Sequence, residues 1–136
     1  MDRSDAILDF WFGAKGSPEH GTQREAWFGK HPDFDAAIQR EHLADHERAA
    51  AGYYDSWMSG ARKCLALVIA LDQFPRNMFR GTARAFATDA KALATAKYAV
   101  AAGFDRDMLP VERLFLYLPY QHSEDVADQR RSVALY

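Results

Sequence analysis

The stretch that decides the fold is Cys64-Leu65-Ala66-Leu67-Val68-Ile69-Ala70-Leu71-Asp72-Gln73-Phe74-Pro75-Arg76-Asn77. Its first eight residues are apolar, then polar groups crowd around an aromatic residue and a proline. The apolar run alone could be a buried strand. Its flanks have helical character, so a helix over about 61–73 is the better reading. Being apolar nearly all round, that helix should be the most buried element of the chain. Proline ends or kinks a helix, so Asp72, Gln73, Arg76 and Asn77 are expected at a helix end, where backbone groups are also free.

A second segment repeats the pattern. Tyr117-Leu118-Pro119-Tyr120-Gln121-His122-Ser123-Glu124-Asp125 also follows an apolar run, turns at a proline and ends in polar residues. The offset is about 45 residues, near the period of a helix-hairpin repeat. Stacked hairpins would bring both polar sets to the same end, forming one composite site.

The rest of the chain reads as helices with short breaks. Ser4 is an expected N-cap, with Gly13 closing a first helix through Ile7, Leu8, Trp11 and Phe12. Residues 14–21 read as a loop, and Thr22 and Glu25 have capping-box spacing ahead of Trp27-Phe28. Pro32 suits the first position of a long helix that Gly52 stops. Its apolar stripe runs through Phe34, Ile38, Ala49 and Ala50, interrupted by His42 and His46. Tyr53, Tyr54, Trp57 and Met58 form an aromatic patch before Gly60. Thr88 should cap a helix over about 89–102, Pro110 should open another that Pro119 closes, and Ser123 should cap a last one. No convincing strand appears. The expected class is all-α, a single domain of antiparallel helix hairpins over residues 1–136.

Composition narrows the function classes. Nearly half of the residues are hydrophobic, which supports a core and argues against disorder. A formal net charge of -2 argues against nucleic acid as a partner, because such affinity comes from neutralising phosphates. The single cysteine, Cys64, excludes an intrachain disulfide framework and zinc-type cysteine spacing. No apolar run is long enough to cross a bilayer, and Met1-Asp2-Arg3-Ser4-Asp5 does not open a signal peptide. A cytoplasmic setting, no membrane partner and no cofactor are the expectations.

Four constellations could carry chemistry. Asp72, Arg76 and Asn77 could bind a small polar ligand, or Asp72 and Arg76 could hold the turn, with Arg76 donating to helix carbonyls. Arg76, Arg80 and Arg84 recur every fourth residue. They could form an anion site, but a clamp on Glu124, Asp125 and Asp128 is favoured because the charges balance. His122, beside Glu124 and Asp125, could act as a general base, although a hydrogen-bonded structural histidine is the commoner case. Ser123 is a poor nucleophile because a capping role would occupy its oxygen. His42 and His46 have i, i+4 spacing but lack a third ligand, so a solvated or half-buried face is preferred over a metal site. Trp11, Phe12, Trp27, Phe28, Trp57, Phe74, Phe79 and Phe86 are expected as core anchors rather than stacking platforms.

Five stretches together are similar to the bacterial domain-of-unknown-function 924 family. They are Ile7 to Phe12, Trp27-Phe28, Leu65 to Gly81, Ala85 to Asp89, and Glu112 to Asp125. The resemblance implies a tetratricopeptide-like α-α superhelix and no established activity. It also implies a further helical segment with a Phe-Pro-His-Arg-Asn-like motif beyond Tyr136. Without it, Val126, Ala127, Val133 and Leu135 would be left uncovered, which predicts a two-fold homodimer.

These readings favour a helical-repeat binding module for a peptide or small polar ligand. Its groove would be lined by Asp72, Phe74, Arg76, Asn77, Phe79, Arg80, Tyr120, Gln121, His122, Glu124 and Asp125. One alternative is a hydrolase with His122 as base and Arg76 polarising the substrate. Another is a structural, self-associating domain in which the polar clusters staple two hairpins.

Overall fold

The computed structural model describes residues 2–136. Among them are seven α-helices and no strand: α1 (Arg3–Phe12), α2 (Pro32–Ala51), α3 (Ala61–Val68), α4 (Phe74–Met78), α5 (Asp89–Ala101), α6 (Pro110–His122) and α7 (Val126–Leu135). A π-helical turn (Ile69–Gln73) joins α3 directly to α4. Short 3₁₀ turns (Glu25–Trp27, Asp55–Ser59 and Ala83–Phe86) occupy three of the connections.

The α3–π–α4 rod is the axis of the molecule. It packs against α1, α2, α5 and α6, and α7 packs on α6. Every residue from 64 to 72 is fully buried, which is why the run is apolar around its whole circumference. Aromatic side chains close the core on the α1 side. Trp11 meets Trp27, Phe34, Phe74 and Phe115 at centroid distances of 5.3–6.2 Å.

Pro75 does not end the helix as expected. The chain widens by one residue ahead of it, so that the Phe74 N–H reaches back to the Ile69 carbonyl in π register. Helix then continues to Met78. The widening strands carbonyls that an α-helix would have satisfied, and the rest of the fold supplies donors. The Ala70 carbonyl accepts from His46 Nδ1 at 2.8 Å. Pro75 has no N–H to give the Leu71 carbonyl. That oxygen instead accepts from Thr88 Oγ1 at 2.6 Å. The Asp72 carbonyl accepts from the Arg76 guanidinium at 2.7 Å. Pro119 likewise lies inside α6, which runs on to His122.

Several caps differ from expectation, and in each case the hydroxyl expected to cap has another partner. Asp2, not Ser4, caps α1, and Ser4 is buried. Thr88 is spent on Leu71 and makes no cap bond to α5. Arg24, not Thr22, precedes the first 3₁₀ turn, and the Thr22 hydroxyl donates to Glu19 O. Asp125, not Ser123, caps α7 by accepting from the Ala127 N–H at 2.8 Å. Pro32 and Gly52 bound α2 as read from the sequence, and Gly52 takes the left-handed conformation that suits glycine.

His42 and His46 are buried, not on a solvated face. His42 stacks on Phe74 at 5.0 Å and bonds Asp45 through Nδ1 at 2.9 Å. Asp45 also accepts from Arg3 and from the Tyr54 hydroxyl, tying α1, α2 and the following turn together. Burial would raise the Asp45 carboxyl, but these three donors outweigh it and hold the group well below its usual range. Among the described residues no set of three or more ligating side chains could hold a metal. Ala50, Phe28 and Phe86 are exposed rather than part of the core.

Thr88→Val should leave the buried Leu71 carbonyl without a donor. Denaturant unfolding should register a loss of about 1–3 kcal/mol. Burial also pushes the His46 imidazole below its ordinary value of 6.5. The unfolded chain therefore takes up a proton there first, and stability present above pH 6.5 should fall as pH drops through the folded-state value. Unfolding free energies across this window should decline in the wild type and decline less in His46→Gln.

Candidate functional site

The two polar segments do meet. His122 Nδ1 lies 2.9 Å from Asp72 Oδ1, joining the last turn of α6 to the π turn. Asp72 is completely buried, whereas the His122 side chain is 25% exposed. Gln73 donates to the other Asp72 oxygen at 2.8 Å. Arg76 donates to Asp72 Oδ1 at 3.2 Å and forks onto Asp89 at 2.7 and 2.9 Å. The result is a continuous chain: Asp89, Arg76, Asp72, His122.

Arg76 does not approach Glu124 or Asp125 as a clamp. Its partners are Asp72, one helical turn back, and Asp89 at the start of α5. Arg80 pairs with Asp35 at 2.7 Å, Arg84 reaches Glu47 at 4.0 Å, and Asp128 takes Lys97 at 2.8 Å. The expected acid–base matching fails because each arginine finds a nearer carboxylate on a packed neighbour. Hydrogen bonds from Lys97 and then Ser123 hold the Asp128 carboxyl below its usual range. Ser123 Oγ donates to Asp128 and accepts from the Asp125 N–H, so its oxygen is occupied, though not by capping.

With Nδ1 bound to Asp72, His122 Nε2 has no protein partner among the described residues and is open to solvent. If Nδ1 carries the proton, Nε2 presents a lone pair. The arrangement is a histidine oriented by a buried carboxylate, which can accept a proton or a hydrogen bond from a small molecule.

The expected single groove is divided into three clefts. Arg76, Asn77 and Arg80 line one of about 840 Å³ together with Lys30, Asp35 and Phe86. His122 and Glu124 line a second, of about 420 Å³, against Phe86, Asp89, Leu93 and Pro119. Gln121 and His122 line a third, of about 750 Å³, with Gln129, Ser132, Val133 and Tyr136. Phe86 borders the first two and His122 the last two. Phe74 and Tyr120 are core residues and line none of these. Burial pushes the Tyr120 hydroxyl up, so it stays protonated. Phe79 packs under the Arg84 guanidinium at 4.0 Å, and Asp125 is spent on its cap. Buried Cys64 has its thiol pushed up to about 11 and is not a nucleophile.

Asp89 and Phe86 belong to this region without having been singled out for it. Asp89 stood out in the sequence only as a first-turn acid of α5. Its bond to Arg76 spans the Ala83–Phe86 turn, and no spacing rule encodes that reach.

The family model for a bacterial protein of unknown function, DUF924, matches residues 7–136. The chain belongs to this family. A solved structure of a protein of unknown function from Agrobacterium tumefaciens is 40% identical, with a TM-score of 0.87 over 98% of this chain and 71% of that one. No curated protein matches the chain. Family membership agrees with the resemblance carried by the two proline-centred segments. No helix among the described residues is long and apolar enough to cross a membrane.

Removing the guanidinium would leave Asp72 buried with only His122 and Gln73 for partners. Arg76→Ala should destabilise the fold by about 3 kcal/mol or more, measured by denaturant unfolding. Arg76→Lys should recover part of this, since one ammonium cannot fork across two carboxylates.

Proposed function

We propose that this protein is a helical binding module for a small polar ligand, with His122 as the recognising group. The observation that carries the reading is the pairing of Nδ1 with a fully buried carboxylate, which leaves Nε2 unpaired beside two clefts. A side chain serving only to staple hairpins would have no need of a free, solvent-reached nitrogen. The cleft volumes lie in the range of small-ligand sites, about 300–1,000 Å³. A tetratricopeptide-like stacking of the hairpins fits this role. So does a homodimer, since Val126 and Val133 on α7 are exposed.

The same Asp72–His122 pair favours a second reading, an enzyme using His122 as general base. Arg76 would not polarise the substrate in it, because both terminal nitrogens are already bound to Asp72 and Asp89. Ser123 would not serve as nucleophile, so water or a substrate group would be activated.

Thermal melts against a panel of small amines, carboxylates, polyols and short peptides test the binding role. A ligand at a hundred times its Kd should stabilise the wild type by about 2.7 kcal/mol and raise Tm by several degrees. His122→Asn should lose the shift while its own Tm stays near the wild-type value, because Asp72 keeps Arg76 and Gln73. A panel without effect on the wild type would defeat the reading. A large drop in the variant's own Tm would assign His122 to the staple. Turnover of a panel compound, lost in the variant, would select the enzyme.

A further inference from the structure

Resting on that reading, we infer that the ligand of the His122–Glu124 cleft is an organic monocation, an ammonium group on a short apolar body. The shape of the cleft supplies the apolar half. Phe86, Ala87, Ala90, Leu93 and Pro119 form its walls, and the polar side chains are Asp89, His122, Ser123 and Glu124. Phe86 sits on a 3₁₀ turn with 57% of its surface exposed. The Arg76 guanidinium already lies over that ring, 5.3 Å from its centroid, so Phe86 serves this cleft as an apolar wall.

Charge decides the other half. Asp72 and Asp89 are two carboxylates sharing the single guanidinium of Arg76. Glu124 adds another and forms no ion pair among the described residues. The lining of the cleft contains two carboxylates, Asp89 and Glu124, and no lysine or arginine to receive an anion. Ser123 Oγ has its one proton on Asp128, so it has no donor left for an anion. An ammonium group brings three donors and no acceptor. Two acceptors at the cleft are open, the Glu124 carboxylate and, with the proton on Nδ1, His122 Nε2. A carboxylate ligand would face Glu124 and Asp89 with no donor but a protonated His122.

The test uses the intact chain and the backbone amide spectrum, with n-butylammonium, butan-1-ol, butyrate and Nα-acetyl-lysine amide as probes. Butylammonium should shift the signals of Ala87, Ala90, Leu93 and Glu124 saturably, and the alcohol and the acid should bind at least about fivefold more weakly. Glu124→Gln changes an exposed side chain and should weaken butylammonium by about fivefold while leaving the alcohol unchanged. Phe86→Leu should weaken it as well. Acetyl-lysine amide binding as tightly as butylammonium would support the ammonium site and make a peptide lysine its source. Weaker binding would support a free amine. Butyrate binding more tightly, in a His122-dependent manner, would overturn the cation assignment and leave the polar-ligand reading standing. Equal binding of all probes would overturn it too, marking a merely apolar hole. Silence of butylammonium would overturn the assignment. The broader reading would fall only if the wider panel also had no effect on Tm.

Discussion

One residue's missing N–H organises this molecule. Pro75 sits in the middle of the most buried rod of the fold, where a proline would ordinarily break the helix. The chain absorbs it with a single π turn, and the buried backbone oxygens so freed need other donors. His46 from α2, Thr88 at the entry to α5, and Arg76 from the next turn each take one. Two further elements are thereby hydrogen-bonded to the rod at defined heights, beyond what apolar contact alone would specify. Helix widening of this kind is frequent at functional sites, and here it sets Asp72 among these bonds.

Asp72 is the consequence on which the proposed site rests. A carboxylate with no exposure needs several donors, and it has Arg76, Gln73 and His122. Arg76 and Gln73 come from the rod itself, so they arrive with the turn. His122 arrives from α6, which extends past Pro119 far enough to deliver it. The imidazole thus bridges a rigid interior and an open surface. Its inner nitrogen is fixed by the buried charge and its outer one has no protein partner. Asp89 completes the arrangement by holding Arg76 from the far side, so the guanidinium is a positioning group and not a free anion receptor.

The same satisfaction rule separates two buried networks that look alike in composition. Around Asp45, the donors are Arg3, His42 and Tyr54, and His42 is enclosed by Phe10 and Phe74. That network joins α1 to α2 and borders a cleft of about 310 Å³ lined by Arg3, Phe10, Glu41 and His42. Around Asp72 the histidine stays a quarter exposed beside two clefts. Both contain an Asp–His pair and an arginine. They differ in exposure: the His42 side chain is 4% exposed and the His122 side chain 25%.

The all-α class, the bounds of α2, the burial of residues 64–72 and the meeting of the two proline-centred segments were legible in the sequence. These follow from local physics: apolar periodicity, proline at a first turn, glycine at a helix end, and a recurring segment pattern. The Asp72–Arg76 pair was legible too, because i and i+4 share a helix face. Tertiary structure alone decided which carboxylate each arginine would meet. Asp89 rather than Glu124 holds Arg76, and Asp35 holds Arg80. It also decided that Pro75 and Pro119 would be carried inside helices, that Thr88 and Ser123 would have other partners than helix ends, and that Phe86 would stand outside the core. In each case the outcome depends on which donors and acceptors lie within about 3 Å once the helices have packed. Residue spacing along a chain does not encode that distance between elements.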